Sequence, residues 1–144
     1  MDPLFYFNGF NSAIPDDYSD NEKIVGVENY ARQHGLDFQP TTVSYRRAAQ
    51  HCAEVLERIP ADTTRVVFSG SSMGGWFARI LQLLFVAQNP GRRCEALAFN
   101  PAFNLAQHSD VLLGPQENHV TGECYVWTRG HSDRLVGLER SAQV

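Results

Sequence analysis

Ser72 stands in Gly70-Ser71-Ser72-Met73-Gly74, between the apolar run Arg65-Val66-Val67-Phe68-Ser69 and a long apolar stretch that begins at Trp76. A strand, a glycine-flanked serine and a helix in that order describe a nucleophile elbow, a turn that exposes a serine hydroxyl at the end of a sheet. The turn is too sharp for side chains two positions before or after the serine, so glycines there let strand and helix approach. Gly75 permits close packing of the helix that follows. Two other readings of the pattern stay open. One is a tight strand-to-helix turn without chemistry. The other is a cradle that binds an anion on the free N–H groups of the helix, although the Gly-Lys-Ser/Thr of a P-loop is absent.

Acyl transfer at a serine needs two donors aimed at the developing oxyanion, one of them the N–H of the residue after the nucleophile. Here that residue is Met73. Asn8-Gly9-Phe10-Asn11-Ser12 stands at the end of the first strand, where the second donor is expected, and Phe10 N–H is the candidate. A plain turn containing a glycine is the alternative. The hydroxyl also needs a base to take its proton. His131 and Asp133 are close in sequence, which puts both on one local segment, whereas a working acid and base flank the imidazole from different directions. The simpler reading of that pair is a solvated turn. His34 reads as a charge partner near the end of a helix and His51 as a helix-surface residue. His108, His119, Cys124 and His131 lack paired-ligand spacing for zinc, so no metal is expected.

These residues need a scaffold to hold them. Strand signals recur at Leu4 to Asn8, near Phe38 to Ser44, at Val66 to Ser69 and at Ala96 to Asn100, with helical patterns between them. Such alternation predicts a parallel sheet in an α/β domain. Ser19 to Glu22 has capping-box spacing, Ile24, Val27 and Tyr30/Ala31 follow at helical intervals, and Gly35 closes the first helix. Ala48/Ala49, Cys52, Val55/Leu56 and Ile59 repeat at steps of three and four until Pro60, which predicts a second helix with one face on the sheet. The third helix follows Ser72, is apolar on nearly every face, and ends near Asn89-Pro90-Gly91. After Pro101 turn signals accumulate, and the only strand-like run is Cys124 to Thr128. Residues 102–130 therefore read as an excursion over the sheet edge or a cap above the site.

With 144 residues the chain suits one domain, 1–144, without repeats. Hydrophobic content of 43% with 19% charged residues is globular, and a net charge of −4 gives no basic face for nucleic acid. Three widely spaced cysteines, Cys52, Cys94 and Cys124, read as no disulfide framework and fit a reducing cytoplasm. With no leader before Leu4 and no apolar run near the roughly 20 residues of a membrane span, neither export nor membrane attachment is expected.

Three stretches resemble the small bacterial YqiA-like esterases of the α/β-hydrolase superfamily. Phe7-Asn8-Gly9-Phe10-Asn11-Ser12 is similar to the family's His-Gly-Phe-x-Ser loop, and Gly70 to Gly75 to its Gly-Ser-Ser-Leu-Gly-Gly elbow. Phe99-Asn100-Pro101-Ala102 resembles its Asn-Pro-Ala turn. A looser match covers Leu113-Gly114, Glu117-Asn118, Thr121-Gly122, Tyr125 and His131. The resemblance implies a three-layer α/β-hydrolase-type fold with a mostly parallel sheet. It further implies Ser72 as nucleophile, Phe10 and Met73 amides as the oxyanion hole, and cofactor-free hydrolysis of short carboxylic esters. Two departures stand out. Asn8 replaces the histidine that opens the first loop. The chain also ends at Val144, where the family continues through two strands whose loops carry the acid and the base histidine. The expectation is an esterase that is incomplete in this form, with low activity, or a non-catalytic binding or regulatory remnant. A truncated sheet leaves an edge to be paired or covered, and a homodimer is one expected way to cover it.

Overall fold

The computed structural model describes residues 1–102 and 104–143. Four strands, β1 (Pro3–Phe7), β2 (Asp37–Thr41), β3 (Arg65–Ser71) and β4 (Arg93–Phe99), form a parallel sheet in the order β2-β1-β3-β4. Parallel neighbours require crossovers, which α1 (Glu22–Gln33), α2 (Ala48–Glu57) and α3 (Met73–Gln88) supply. The two faces of the sheet bury different side chains. Phe5, Phe7, Val66 and Phe68 pack toward α2 and α3, whereas Leu4, Tyr6 and Val67 pack against Ile24, Val27 and Ala31 of α1. Helices on both faces of a parallel sheet give the expected three-layer α/β architecture. Among the described residues no helix is long and apolar enough to cross a membrane.

Several local expectations shift. Asn21, not Ser19, caps α1, because its Oδ1 accepts from Ile24 N at 3.1 Å. Gly35 does follow the helix, with φ +66. Asn8 falls just past β1, and β2 stops at Thr41, so Thr42 to Ser44 form a loop leading to a short 3-10 turn, Tyr45–Arg47. Most of α3 is buried as its composition predicts, yet Val86 is 48% exposed and Leu83 and Leu84 are only half-buried.

The larger correction lies beyond Pro101. A short α4 (Leu105–His108) and a 3-10 turn lead to an antiparallel hairpin of β5 (Gly114–Glu117) and β6 (Cys124–Trp127). Then α5 (Arg129–Ala142) packs Leu135 and Ala142 into the same core as α2 and α3. His131 and Asp133 therefore lie in the first turns of a helix, not in a solvated turn. Thr128 caps α5 by accepting from His131 N at 3.3 Å, and Thr128 N donates to His131 Nδ1 at 3.0 Å. Thr128 and His131 thus form a reciprocal capping box with histidine in the usual Glu/Gln position.

Candidate active site

The chain reverses at Ser72 between the last residue of β3 and the first of α3. Its backbone has φ 57 and ψ −120, a conformation that costs a non-glycine residue on the order of 1–3 kcal/mol. The surroundings hold it there from both sides. Ser72 N donates to Phe99 O at 2.9 Å, while Ser72 O accepts from Gly75 N and from Ala102 N, each at 3.0 Å. The Asn100-Pro101 turn therefore grips the serine from the end of β4. Asn100 itself has φ 44, in the left-handed region that asparagine tolerates.

Each elbow glycine is required by close backbone approach. A Cβ on Gly70 would lie 2.4 Å from Gly74 C and O, and one on Gly74 would lie 2.3 Å from Phe7 O. A Cβ on Gly75 would lie 2.9 Å from Pro101 Cβ. Strand, helix and β4 turn thus meet closer than any side chain permits.

The loop after β1 lies against this elbow. A Cβ placed on Gly9 would stand 3.8 Å from Ser72 Cβ and 3.5 Å from Ser71 O. Phe10 N–H and Met73 N–H have no hydrogen-bond acceptor among the described residues. For Met73 the reason is geometric, since it opens α3 and the first turn of a helix has no intrahelical acceptors.

Asn8 anchors the loop. It is buried, its Oδ1 accepts from Val43 N at 2.7 Å, and its Nδ2 is within 2.8–3.1 Å of the carbonyls of Gly9, Ser12 and Val43. Buried Tyr45 donates its hydroxyl to Asn8 O at 2.6 Å, and burial raises the Tyr45 pKa well above its usual value, which keeps that donor protonated. On the outer side Phe10 packs edge-on against buried Trp127, at 5.4 Å between centroids. The hairpin adds bonds from Tyr125 OH to Asn11 Oδ1, from His119 N to Asn11 O (2.8 Å) and from Asn118 Nδ2 to Ser12 O (3.0 Å).

Ser72 is exposed and lines a cleft of about 270 Å³ together with Asn8, Gly9, Asn21, Lys23 and Ser71. Its Oγ has no hydrogen-bond partner among the described residues. His131 is not joined to it: the ring packs on Trp127 at 5.2 Å, and Nδ1 is occupied by Thr128 N. Burial, with smaller contributions from Arg134 and Arg46, lowers the pKa of His131. His34 stacks on Tyr30, and His51 contacts Glu54 within α2 at 3.4 Å. Among the described residues no group of three His, Cys, Asp or Glu side chains could hold a metal ion.

Sequence reasoning missed two buried polar groups here. Asn8 was only a changed residue, and its role as anchor depends on a contact 35 positions away. Glu139 is 5% exposed on α5 and accepts from Trp76 Nε1 at 2.7 Å and Leu105 N at 3.1 Å. Its place in the stripe Leu135, Leu138, Ala142 was the available signal.

No curated protein matches this chain. A structural neighbour is the crystal structure of carboxyl esterase 2 from the mycorrhizal fungus Tuber melanosporum, at 14% identity and a TM-score of 0.44, over 100% of this chain and 51% of that one. The chain thus spans about half the length of that esterase. The model of UPF0227, described as an uncharacterised protein family, matches residues 3–143. The chain belongs to this family.

Proposed function

We propose that this family member is a serine hydrolase of short carboxylic esters, with Ser72 as nucleophile and the Phe10 and Met73 amides as oxyanion donors. The observation that carries the reading is the backbone of Ser72 at φ 57, held by three glycines that admit no side chain. A strained turn that presents an exposed hydroxyl is over-determined by its surroundings, as functional strain must be. Ser72 Oγ attacks the ester carbonyl carbon, the oxyanion forms, and the C–O bond to the alcohol breaks to give acyl-Ser72. Water then attacks the acyl carbon and restores the serine. The net reaction consumes one ester and one water, releases one acid and one alcohol, and moves no electrons to a cofactor.

The Ser72 proton must pass to a base, and Ser72 Oγ has no hydrogen-bond partner among the described residues. Turnover by this chain is therefore slow, resting on the oxyanion donors and on positioning, which leave roughly 10³- to 10⁴-fold over water in enzymes stripped of their triad. The same observation favours a second reading: a binding or regulatory module that keeps the esterase cleft without turnover. We place the protein in the reducing cytoplasm, in keeping with three free cysteines. Its partners under this reading are small esters and, across an open sheet edge, a second copy.

The test is steady-state hydrolysis of p-nitrophenyl acetate by the wild type and Ser72→Ala. A slow rate that disappears in Ser72→Ala supports the esterase. A rate equal in both proteins, or no rate above buffer, favours the binding module. A fast, Ser72-dependent rate contradicts the missing base, and His131→Ala then decides whether His131 supplies it.

A further inference from the structure

Lys23 is the single lysine among 144 residues, and its ammonium sits in the Ser72 cleft. Its Nζ donates to Ser71 Oγ at 3.1 Å. One side chain and one Cα–Cα step of 3.8 Å then bound its distance from the Ser72 Cα at about 9 Å. Five of the arginines, Arg32, Arg46, Arg65, Arg93 and Arg129, pair with carboxylates, whereas Lys23 has no ion-pair partner among the described residues. No Asp or Glu lines the cleft.

Helix stability does not explain Lys23. It is the second residue of the twelve-residue α1, at the positive end of the helix dipole, where a carboxylate is favoured and a cation is not. The chain as a whole carries −4, so the cleft presents an isolated positive charge on an acidic protein. An anion entering the cleft relieves both conditions. The ammonium is a compact, flexible donor suited to one carboxylate oxygen pair.

We infer that Lys23 selects esters that carry a second, anionic group on the acyl side, namely monoesters of short dicarboxylic acids. This rests on the esterase reading above, with the carbonyl at Ser72 and the free carboxylate on Lys23. A four- or five-carbon diacid fits within that upper bound, and the cleft volume of about 270 Å³ accommodates one. Such a substrate is produced by half-hydrolysis of a diester or by mono-esterification of a diacid, and its product is the free diacid.

The experiment compares monoethyl succinate with ethyl butyrate, following proton release by pH-stat in the wild type, Lys23→Met, Lys23→Arg and Ser72→Ala. Lys23 is exposed, so its replacement does not disturb the core. The expected result is a kcat/KM ratio favouring the succinate ester, reduced on the order of two- to fivefold in Lys23→Met, retained in Lys23→Arg and diminished by salt. Ser72-dependent hydrolysis of both esters at a ratio unchanged by Lys23→Met overturns the inference and leaves the esterase reading standing. If neither ester is turned over, the p-nitrophenyl acetate comparison decides the esterase reading, and binding tests Lys23 directly. Reductive ¹³C-methylation gives one lysine resonance besides the α-amino signal. A saturable shift of that resonance with monoethyl succinate, and none with ethyl butyrate, supports Lys23 as the anion contact. No shift overturns it.

Discussion

Gly74 passes the end of β1 so closely that a Cβ on it would stand 2.3 Å from the Phe7 carbonyl oxygen. That contact joins two stretches 67 positions apart: the loop that offers Phe10 N–H and the turn that presents Ser72. The spacing between them is therefore set by backbone against backbone, which cannot be relaxed by a rotamer change.

Gly74→Ala should accordingly destabilise the fold by roughly 3 kcal/mol, because either β1 or α3 must move. Gly26→Ala serves as the contrast. Gly26 lies inside α1 with nothing within 4 Å of the added methyl, and the change should stabilise by up to about 1 kcal/mol through helix propensity. Urea denaturation of both variants checks the pair, and equal effects would refute the backbone-contact argument.

Asn8→Ala should cost roughly 2–3 kcal/mol, since it leaves Val43 N–H buried without its acceptor and frees the carbonyls of Gly9 and Ser12. Amide hydrogen exchange should quicken across residues 9–12. Exchange unchanged in that loop would show that the hairpin, not Asn8, holds it.

The elbow was legible because strand, glycine spacing and apolar helix are adjacent in sequence, and each glycine had a local steric reason. The four strands and three crossovers were legible through alternation of period. What escaped depended on distant partners. Helix α5 lacks a conventional capping box, since His131 stands where Glu or Gln is the usual signal, and its apolar stripe is interrupted by Glu139. That carboxylate is buried only because Trp76 and the start of α4 supply donors from elsewhere in the chain. The anchoring role of Asn8 is likewise invisible until β2 brings Val43 beside it.

Stability should fall as pH drops below neutrality. Burial holds the pKa of His131 below its ordinary 6.5, so between that lowered value and 6.5 the unfolded chain binds more protons than the folded one, and folding weakens as pH falls through this window. Protonation also removes the Nδ1 acceptor from Thr128 N–H. His51, lowered chiefly by burial, acts with the same sign. His131→Gln keeps a capping-box acceptor without the titration, so it should flatten part of the decline in Tm between pH 7.5 and 5.5. A decline identical to wild type would remove His131 from the account.

The most direct test of the central claim is to look for the acyl group itself. Under the proposed reading no base assists Ser72 and deacylation is slow as well as acylation, so an activated ester should leave the acyl-enzyme in place long enough to be detected. Intact-mass and peptide analysis after brief exposure to p-nitrophenyl acetate should find one acetyl group on Ser72, absent from Ser72→Ala. Acetyl groups confined to Lys23 or the α-amino group, with Ser72 unmodified, would contradict the assignment of Ser72 as the nucleophile.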